Sequence, residues 1–224
     1  MLKKGKLRAF RNLPIGWVTH ANHARDISER LCHHLMECTL LLIVLGTVWV
    51  FGEKSRQVVP MLVIGMIVHT IWWVVNGNCH VCLLDSFKFV RNAGIDSILN
   101  YIIWAKDWLL KSGCVSSVLV YGSFCRGEFH GRSDLDLRII RTPGVCSACV
   151  IMPMAVVARV VSLFCGIPTD LQIVDSEGFL LKQMRSTELP VCVYGRDSLK
   201  RIKISMQIDE VMDNPQIVLK KGKI

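Results

Sequence analysis

Two long apolar stretches, joined by a short polar link at residues 53–56, constrain the fold of this 224-residue chain more than any other feature. The first, residues 35–52, has Glu37 as its only charged residue, and the second, residues 58–77, has none. Each is close to the roughly 20 residues that a membrane-spanning helix needs. We therefore predict an N-terminal two-helix membrane hairpin. The alternative is a hairpin buried inside a soluble protein. So small a chain has little protein available to cover two helices that are apolar all round.

The chain has a formal net charge of +9, and seven of its 27 basic residues lie before the first apolar stretch, whereas the hairpin loop has only Lys54 and Arg56. Because Lys and Arg stay on the cytoplasmic side of membranes, we predict a multi-pass protein of the cytoplasmic (inner or plasma) membrane with both termini in the cytoplasm. The cluster is expected to bind anionic lipid heads. Nucleic acid is the less favoured partner, since the cluster adjoins a predicted span and lacks the aromatic platform on which bases stack. The residues concerned are Lys3, Lys4, Lys6, Arg8, Arg11, Arg25 and Arg30.

A Gly-Ser pair between two apolar runs is the main sign of chemistry. The run at residues 118–121 ends at Gly122 and Ser123, and the next run opens with Asp134 and Asp136. Strand side chains alternate, so the two carboxylates face one way and the intervening Leu side chains face a core. Paired carboxylates suit Mg²⁺, which keeps substrate phosphates in its shell, and the glycine turn allows close approach of backbone N–H groups to phosphate. The pattern predicts a site for a metal-bound nucleoside triphosphate.

This stretch resembles the small, minimal members of the nucleotidyltransferase superfamily related to DNA polymerase beta. Their signature is an apolar strand, Gly-Ser, a loop that often carries Arg-Gly, and Ser-Asp-x-Asp on the next strand. The resemblance covers roughly residues 96–196, under half of the chain. The matching residues are Gly122, Ser123, Arg126, Gly127, Ser133, Asp134 and Asp136.

The resemblance implies a third carboxylate on a later strand, for which Asp170 is the candidate. It implies that Asp134, Asp136 and Asp170 are the catalytic residues and hold two Mg²⁺ ions, with Asp170 completing the shell of one ion or taking the proton of the acceptor. It also implies that the triphosphate is bound by Gly122, Ser123 and Arg126. Arg138 is expected either to pair with a carboxylate or to touch a phosphate.

The element pattern predicts an α+β chain with the minimal nucleotidyltransferase fold, a small mixed sheet flanked by helices, preceded by two transmembrane helices. Helices are predicted at 96–111, 146–165 and 177–184, and strands at 117–121, 134–141, 169–174 and 190–194. We divide the chain into a basic segment with membrane anchor (1–83), a nucleotidyltransferase domain (84–200) and a C-terminal tail (201–224).

Ten cysteines are many for this length, and two CxxC pairs occur among them, Cys79/Cys82 and Cys146/Cys149. Cytoplasmic thiols stay reduced, so no disulfide framework is expected. The two pairs lie much further apart in sequence than the usual zinc-knuckle spacing, which favours ordinary packing of small apolar residues over a zinc site.

The predicted function is that of a membrane-anchored nucleotidyltransferase. It moves a nucleoside monophosphate from ATP or CTP to an unidentified acceptor, such as a membrane-proximal molecule or a protein, and releases pyrophosphate. One alternative is a toxin–antitoxin or defence component that adenylylates protein or RNA. A second is a membrane sensor that binds nucleotide without turnover. The oligomeric state stays open.

Overall fold

The computed structural model describes Trp17 and residues 27–51, 58–76, 91–184 and 188–219. Most of the basic N-terminal cluster therefore lies outside the described residues. The elements in chain order are α1 (Ile27–Phe51), α2 (Val58–Asn76), α3 (Ile95–Leu110), β1 (Val115–Tyr121), β2 (Leu135–Arg141), α4 (Val145–Phe164), β3 (Thr169–Val174), α5 (Glu177–Gln183), β4 (Val191–Tyr194), β5 (Met206–Gln207) and α6 (Ile208–Asp213).

The five strands form one mixed sheet in the order β3-β2-β1-β4-β5. The central strand β1 is antiparallel to both β2 and β4, whereas β2–β3 and β4–β5 are parallel pairs. The prediction of an α+β chain with a small mixed sheet is confirmed in this form. The sheet continues into the segment assigned to the C-terminal tail, because β5 pairs with β4, and Ile208, Val211 and Val218 of the same segment join the main core.

The two faces of the sheet have different surroundings. Alternate residues such as Leu135, Leu137 and Ile139 point into the main core, which α3 and α4 cover. The opposite face carries a smaller cluster around Leu119 and Leu180, the latter from α5. The alternation of β2 therefore turns its polar positions toward the α5 side, where the candidate site lies.

Three of the described helices, α1, α2 and α4, are long and apolar enough to cross a membrane by length and composition. The predicted spans at 35–52 and 58–77 correspond to most of α1 and to α2. Large apolar side chains remain exposed along both helices, including Leu42, Val50, Val59 and Leu62. These surfaces indicate membrane association.

A buried polar cluster joins the α1–α2 hairpin to the sheet domain. The Arg159 guanidinium of α4 donates to Glu29 Oε1 (2.6 Å), to Asn76 Oδ1 (3.1 Å) and to the Leu171 carbonyl oxygen (2.8 Å). Glu29 also accepts from the backbone N–H of Ile173 (3.3 Å), at the edge strand β3. These side chains are almost fully buried. An unpaired charge there would cost several kcal/mol, so the cluster fixes the hairpin to the domain.

Candidate active site

The Gly-Ser turn follows directly on β1 and lies against a carboxylate of β2. Gly122 has a φ of +72°, which L side chains rarely adopt. A Cβ added to this glycine would overlap the Asp136 carboxylate. Two features therefore require a glycine at position 122: its positive φ and the close approach of the Asp136 carboxylate.

Two of the predicted carboxylates are brought together by strand pairing. Asp136 of β2 and Asp170 of β3 are register partners in the parallel pair. One guanidinium nitrogen of Arg138, Nη2, donates to Asp136 Oδ1 (3.2 Å) and to Asp170 Oδ2 (2.8 Å). Arg138 Nη1 donates to the Asp170 carbonyl oxygen (2.6 Å). Arg138 thus supplies the positive charge that holds the two carboxylates side by side.

The electrostatics of Asp136 reflect this crowding. The pKa of Asp136 is raised from its usual 3.8 to about 7, mainly by burial; Arg138 lowers it, and the charges of Asp134, Asp170 and Glu188 add to the increase. The third predicted carboxylate, Asp134, is therefore close enough to act on Asp136. Such a strongly perturbed carboxyl group beside several charges is typical of functional sites.

Glu188 is a site residue that the sequence analysis missed. Its carboxylate oxygen Oε1 accepts hydrogen bonds from the backbone N–H of Gly122 (3.1 Å) and from Arg126 Nη1 (2.7 Å). Both donors are predicted phosphate ligands. The antiparallel pairing of β1 with β4, which matches Val120 with Val191, brings the residues just before β4 opposite the Gly-Ser turn. That pairing is the signal that would have located Glu188.

Two buried hydroxyl groups beside the turn have no hydrogen-bond partner among the described residues. They are the Oγ of Ser123 and the phenol of Tyr121. Burial raises the pKa of the Tyr121 phenol, so it stays protonated and is a donor. Buried polar groups are rarely left unsatisfied in native proteins. The Ser123 hydroxyl, next to Gly122, is a buried polar group that the described residues leave without a hydrogen bond.

A pocket of about 120 Å³ adjoins Tyr121, Gly122 and Asp136. This volume is below the roughly 300–1,000 Å³ of typical ligand sites, so the pocket in this form is too small for a nucleotide. The pocket joins the Gly-Ser turn to Asp136, and α5 closes its other side. The lining residues are Tyr121, Gly122, Asp136, Arg138, Leu180, Gln183, Met184 and Glu188.

The loop between the turn and the carboxylates is held by its own polar contacts. Ser133 Oγ and His130 Nδ1 lie 2.7 Å apart, and the Ser133 N–H donates to the His130 carbonyl oxygen (2.8 Å). The side-chain amide of Asn92 donates to the carbonyl oxygens of both residues. Ser133 thus positions the start of β2, and with it Asp134 and Asp136. The sequence analysis did not foresee the part played by Asn92.

Across the residues that the structure describes, no group of three His, Cys, Asp or Glu side chains is arranged to hold a metal ion. Arg138 lies between the two carboxylates that were predicted to share one. Of the CxxC pairs, Cys146 and Cys149 are exposed free thiols in the first turns of α4. Cys79 and Cys82 lie outside the described residues.

No protein-family model, no curated protein and no solved structure matches this chain. The functional assignment is accordingly drawn from the residues of the site.

Proposed function

We propose that this chain is a membrane-anchored nucleotidyltransferase that moves a nucleoside monophosphate from a triphosphate to an acceptor, with release of pyrophosphate. The observation that carries the proposal is the pairing of Asp136 with Asp170 on parallel strands beneath Gly122. Adjacent carboxylates facing a glycine turn with free volume above it provide a cation site next to a phosphate site.

The side chains present fit Mg²⁺ bound to a triphosphate. The donors are carboxylate oxygens, which Mg²⁺ prefers, and the unpartnered Ser123 hydroxyl follows Gly122, whose Cα approaches the Asp136 carboxylate. In the proposal, Asp134, Asp136 and Asp170 hold two Mg²⁺ ions. When bound, such ions supply positive charge to the phosphates and to the acceptor oxygen. Arg138, which neutralises the same carboxylates, has to leave at least one of them.

The Gly-Ser turn is proposed to bind the β- and γ-phosphates. The Gly122 N–H and the Ser123 hydroxyl donate to phosphate oxygens, and Arg126 adds charge. Two of these donors, the Gly122 N–H and Arg126, contact the Glu188 carboxylate at 3.1 Å and 2.7 Å. In the proposal, a phosphate replaces this carboxylate as their partner. The Gly122 N–H and Arg126 therefore have an anionic partner both before and after binding, whereas the Ser123 hydroxyl gains one.

Transfer itself is proposed to need only positioning and one proton acceptor. An oxygen of the acceptor attacks the α-phosphorus, the bond to the bridging oxygen breaks, and pyrophosphate carries away that electron pair. The proton of the acceptor goes to Asp170, or to water if Asp170 instead completes the shell of one ion. ATP is the first candidate donor and CTP the second.

A nucleotide sensor without turnover is the second candidate function. Arg138 already neutralises Asp136 and Asp170, an arrangement that suits binding without chemistry. Release of pyrophosphate separates the two candidates. An enzyme that adenylylates protein or RNA, as in toxin–antitoxin and defence systems, differs from the leading proposal only in its acceptor.

The labelled product identifies both nucleotide and acceptor. Detergent-solubilised protein is incubated with membranes, Mg²⁺ and each α-labelled triphosphate in turn, and lipid, protein and RNA fractions are separated. Asp213→Asn, at an exposed position of α6, is the matched control for Asp136→Asn. Transfer by the wild type and the control alone supports the proposal. Equal labelling by Asp136→Asn would contradict it.

Membrane anchoring has its own test. The proposal includes α1 and α2 as spans with both termini in the cytoplasm. The chain should resist extraction by alkaline carbonate, and a C-terminal tag should be inaccessible from outside the cell. Release by carbonate, or outside accessibility of the tag, would exclude this topology.

A further inference from the structure

The outer face of α4 lacks charge although the helix belongs to the sheet domain. The only charged residue of α4 is Arg159, and it is buried. A helix that covers a sheet in water normally presents a polar outer face. The exposed residues of α4 are instead Val145, Cys146, Cys149, Val150, Val157 and Phe164, together with Pro153.

The helix α4 nevertheless cannot cross the bilayer. It connects β2 to β3, and these strands are paired along six register positions from Leu135 to Ile140. The inner face of α4 is buried in the core beneath them. A spanning α4 would carry the sheet, with its open edges and with Asp136 and Arg138, to the depth of the hydrocarbon. Exposed sheet edges and such charges do not occur there.

The outer face of α4 is continuous with the apolar surface of the hairpin. A pocket of about 450 Å³ lies where α4 meets α1 and α2, and its lining is almost wholly apolar. Leu40 and Ile43 of α1, Trp72 of α2, and Cys149 and Met152 of α4 contribute to its wall. The surfaces that extend from this pocket along α1 and α2 are those that a bilayer would cover.

The contacts of Arg159 make this relationship rigid. Arg159 binds Glu29 of α1 and Asn76 of α2 through buried hydrogen bonds. The hairpin is therefore fixed to α4, and the orientation of α1 and α2 in a membrane sets the orientation of the whole domain.

We infer that the outer face of α4 lies against the lipid bilayer, and that the catalytic site is turned away from it toward water. The orientation rests on the membrane anchoring in the proposed function, and only its consequence for the acceptor rests on nucleotidyl transfer. Asp136 and Asp170 lie on the sheet face opposite α4. They are also near the beginnings of β2 and β3, whereas α4 starts after the end of β2. Both relationships separate the site from the lipid by at least the roughly 10 Å diameter of a helix.

The class of acceptor follows from this orientation. An acceptor buried among lipid tails does not reach a site on the sheet face opposite α4. The acceptor is accordingly a polar group in water, whether on a free molecule or on a group that extends from the membrane.

The test uses the full chain in phosphatidylcholine–phosphatidylglycerol vesicles. The lipids carry a photoreactive diazirine in the acyl chain, and labelled peptides are mapped by mass spectrometry. The outer face of α4 should take up about tenfold more label than α5, as expected for an apolar surface at the lipid boundary. The variant Val150→Glu should lower labelling of α4 severalfold, whereas Lys182→Glu on α5 should leave it unchanged.

Each outcome has a separate meaning. Label confined to α1 and α2 would overturn the inference and leave the anchor intact. Unlabelled α4 in a chain that sediments as a dimer would show that a second copy covers this face, which also overturns it. Absence of label from all three helices would exclude the anchor as well. Pyrophosphate release in the same vesicles reports on nucleotidyl transfer independently of these results.

Discussion

The backbone N–H of Gly122 donates a hydrogen bond to the Glu188 carboxylate at 3.1 Å, where the proposed function places a phosphate oxygen. The same carboxylate oxygen accepts from Arg126. In the proposed function, an internal carboxylate thus occupies two of the phosphate donors and has to move when a triphosphate binds.

Replacing Glu188 by Gln should strengthen triphosphate binding. The amide keeps the size of the side chain but removes the negative charge that competes for Gly122 and Arg126. We expect a decrease in Kd of up to about tenfold, equivalent to about 1.4 kcal/mol. Equilibrium binding of a labelled triphosphate with Mg²⁺ measures it. Weaker binding in Glu188→Gln would instead make Glu188 part of the ligand site.

Adding a methyl group at Gly122 should damage both conformation and site. An L residue at a φ of +72° costs about 1–2 kcal/mol, and the new Cβ collides with the Asp136 carboxylate. Gly122→Ala should lower thermal stability and abolish triphosphate binding. The control is Gly131→Ala in the same loop, where the nearest atom is 4.0 Å from the added Cβ. Normal binding by Gly122→Ala would show that this contact has no part in the site.

The pKa of Asp136 predicts a pH-dependent stability. Because the pKa rises from 3.8 to about 7 on folding, the folded chain retains a proton that the unfolded chain loses between about pH 4 and 7. Stability from this group is present at low pH and is lost as the pH rises through about 7. Asp136→Asn should therefore raise Tm relative to the wild type at pH 8 and less so at pH 5. A gain in Tm that is independent of pH would contradict the assignment.

Replacing Asp170 should affect transfer and triphosphate binding differently, unlike replacing Asp136. If it receives the proton of the acceptor, Asp170→Asn spares triphosphate binding and lowers transfer by roughly 10²–10⁴-fold. Binding and pyrophosphate release are measured separately, with Asp213→Asn as control. Loss of both would mean that Asp170 loads the metal–triphosphate complex. If binding and pyrophosphate release are both unchanged, the role of Asp170 is limited to its contact with Arg138.

Regular elements with strong local signals were predictable from the sequence. The predicted strand at 169–174 coincides with β3, and the helices predicted at 96–111 and 146–165 differ from α3 and α4 by one residue at each end. In both helices an apolar periodicity is followed by a glycine, Gly113 or Gly166, with positive φ. Gly122 and Asp136 were predicted as site residues for a similar reason, because they occur close together in one stretch of the sequence.

Contacts across the chain were not predictable in this way. Glu188 is 66 residues from Gly122, and Arg159 is 130 residues from Glu29, so no local pattern relates either pair. The two-residue strand β5 is too short to have a periodicity. Its place depends on pairing with β4, which only the folded sheet defines.

Pyrophosphate release tests the central claim most directly. The purified full chain is mixed with membranes, Mg²⁺ and ATP or CTP, and pyrophosphate is followed for the wild type, Asp213→Asn, and the double variant Asp134→Asn/Asp136→Asn. The proposal predicts Mg²⁺-dependent release by the first two and a reduction of at least about 10²-fold in the double variant, since neither amide carries the charge that holds the ions. Undiminished release by the double variant would contradict the assignment of the site. Absence of release by the wild type with either nucleotide would contradict the proposal that the chain is a nucleotidyltransferase.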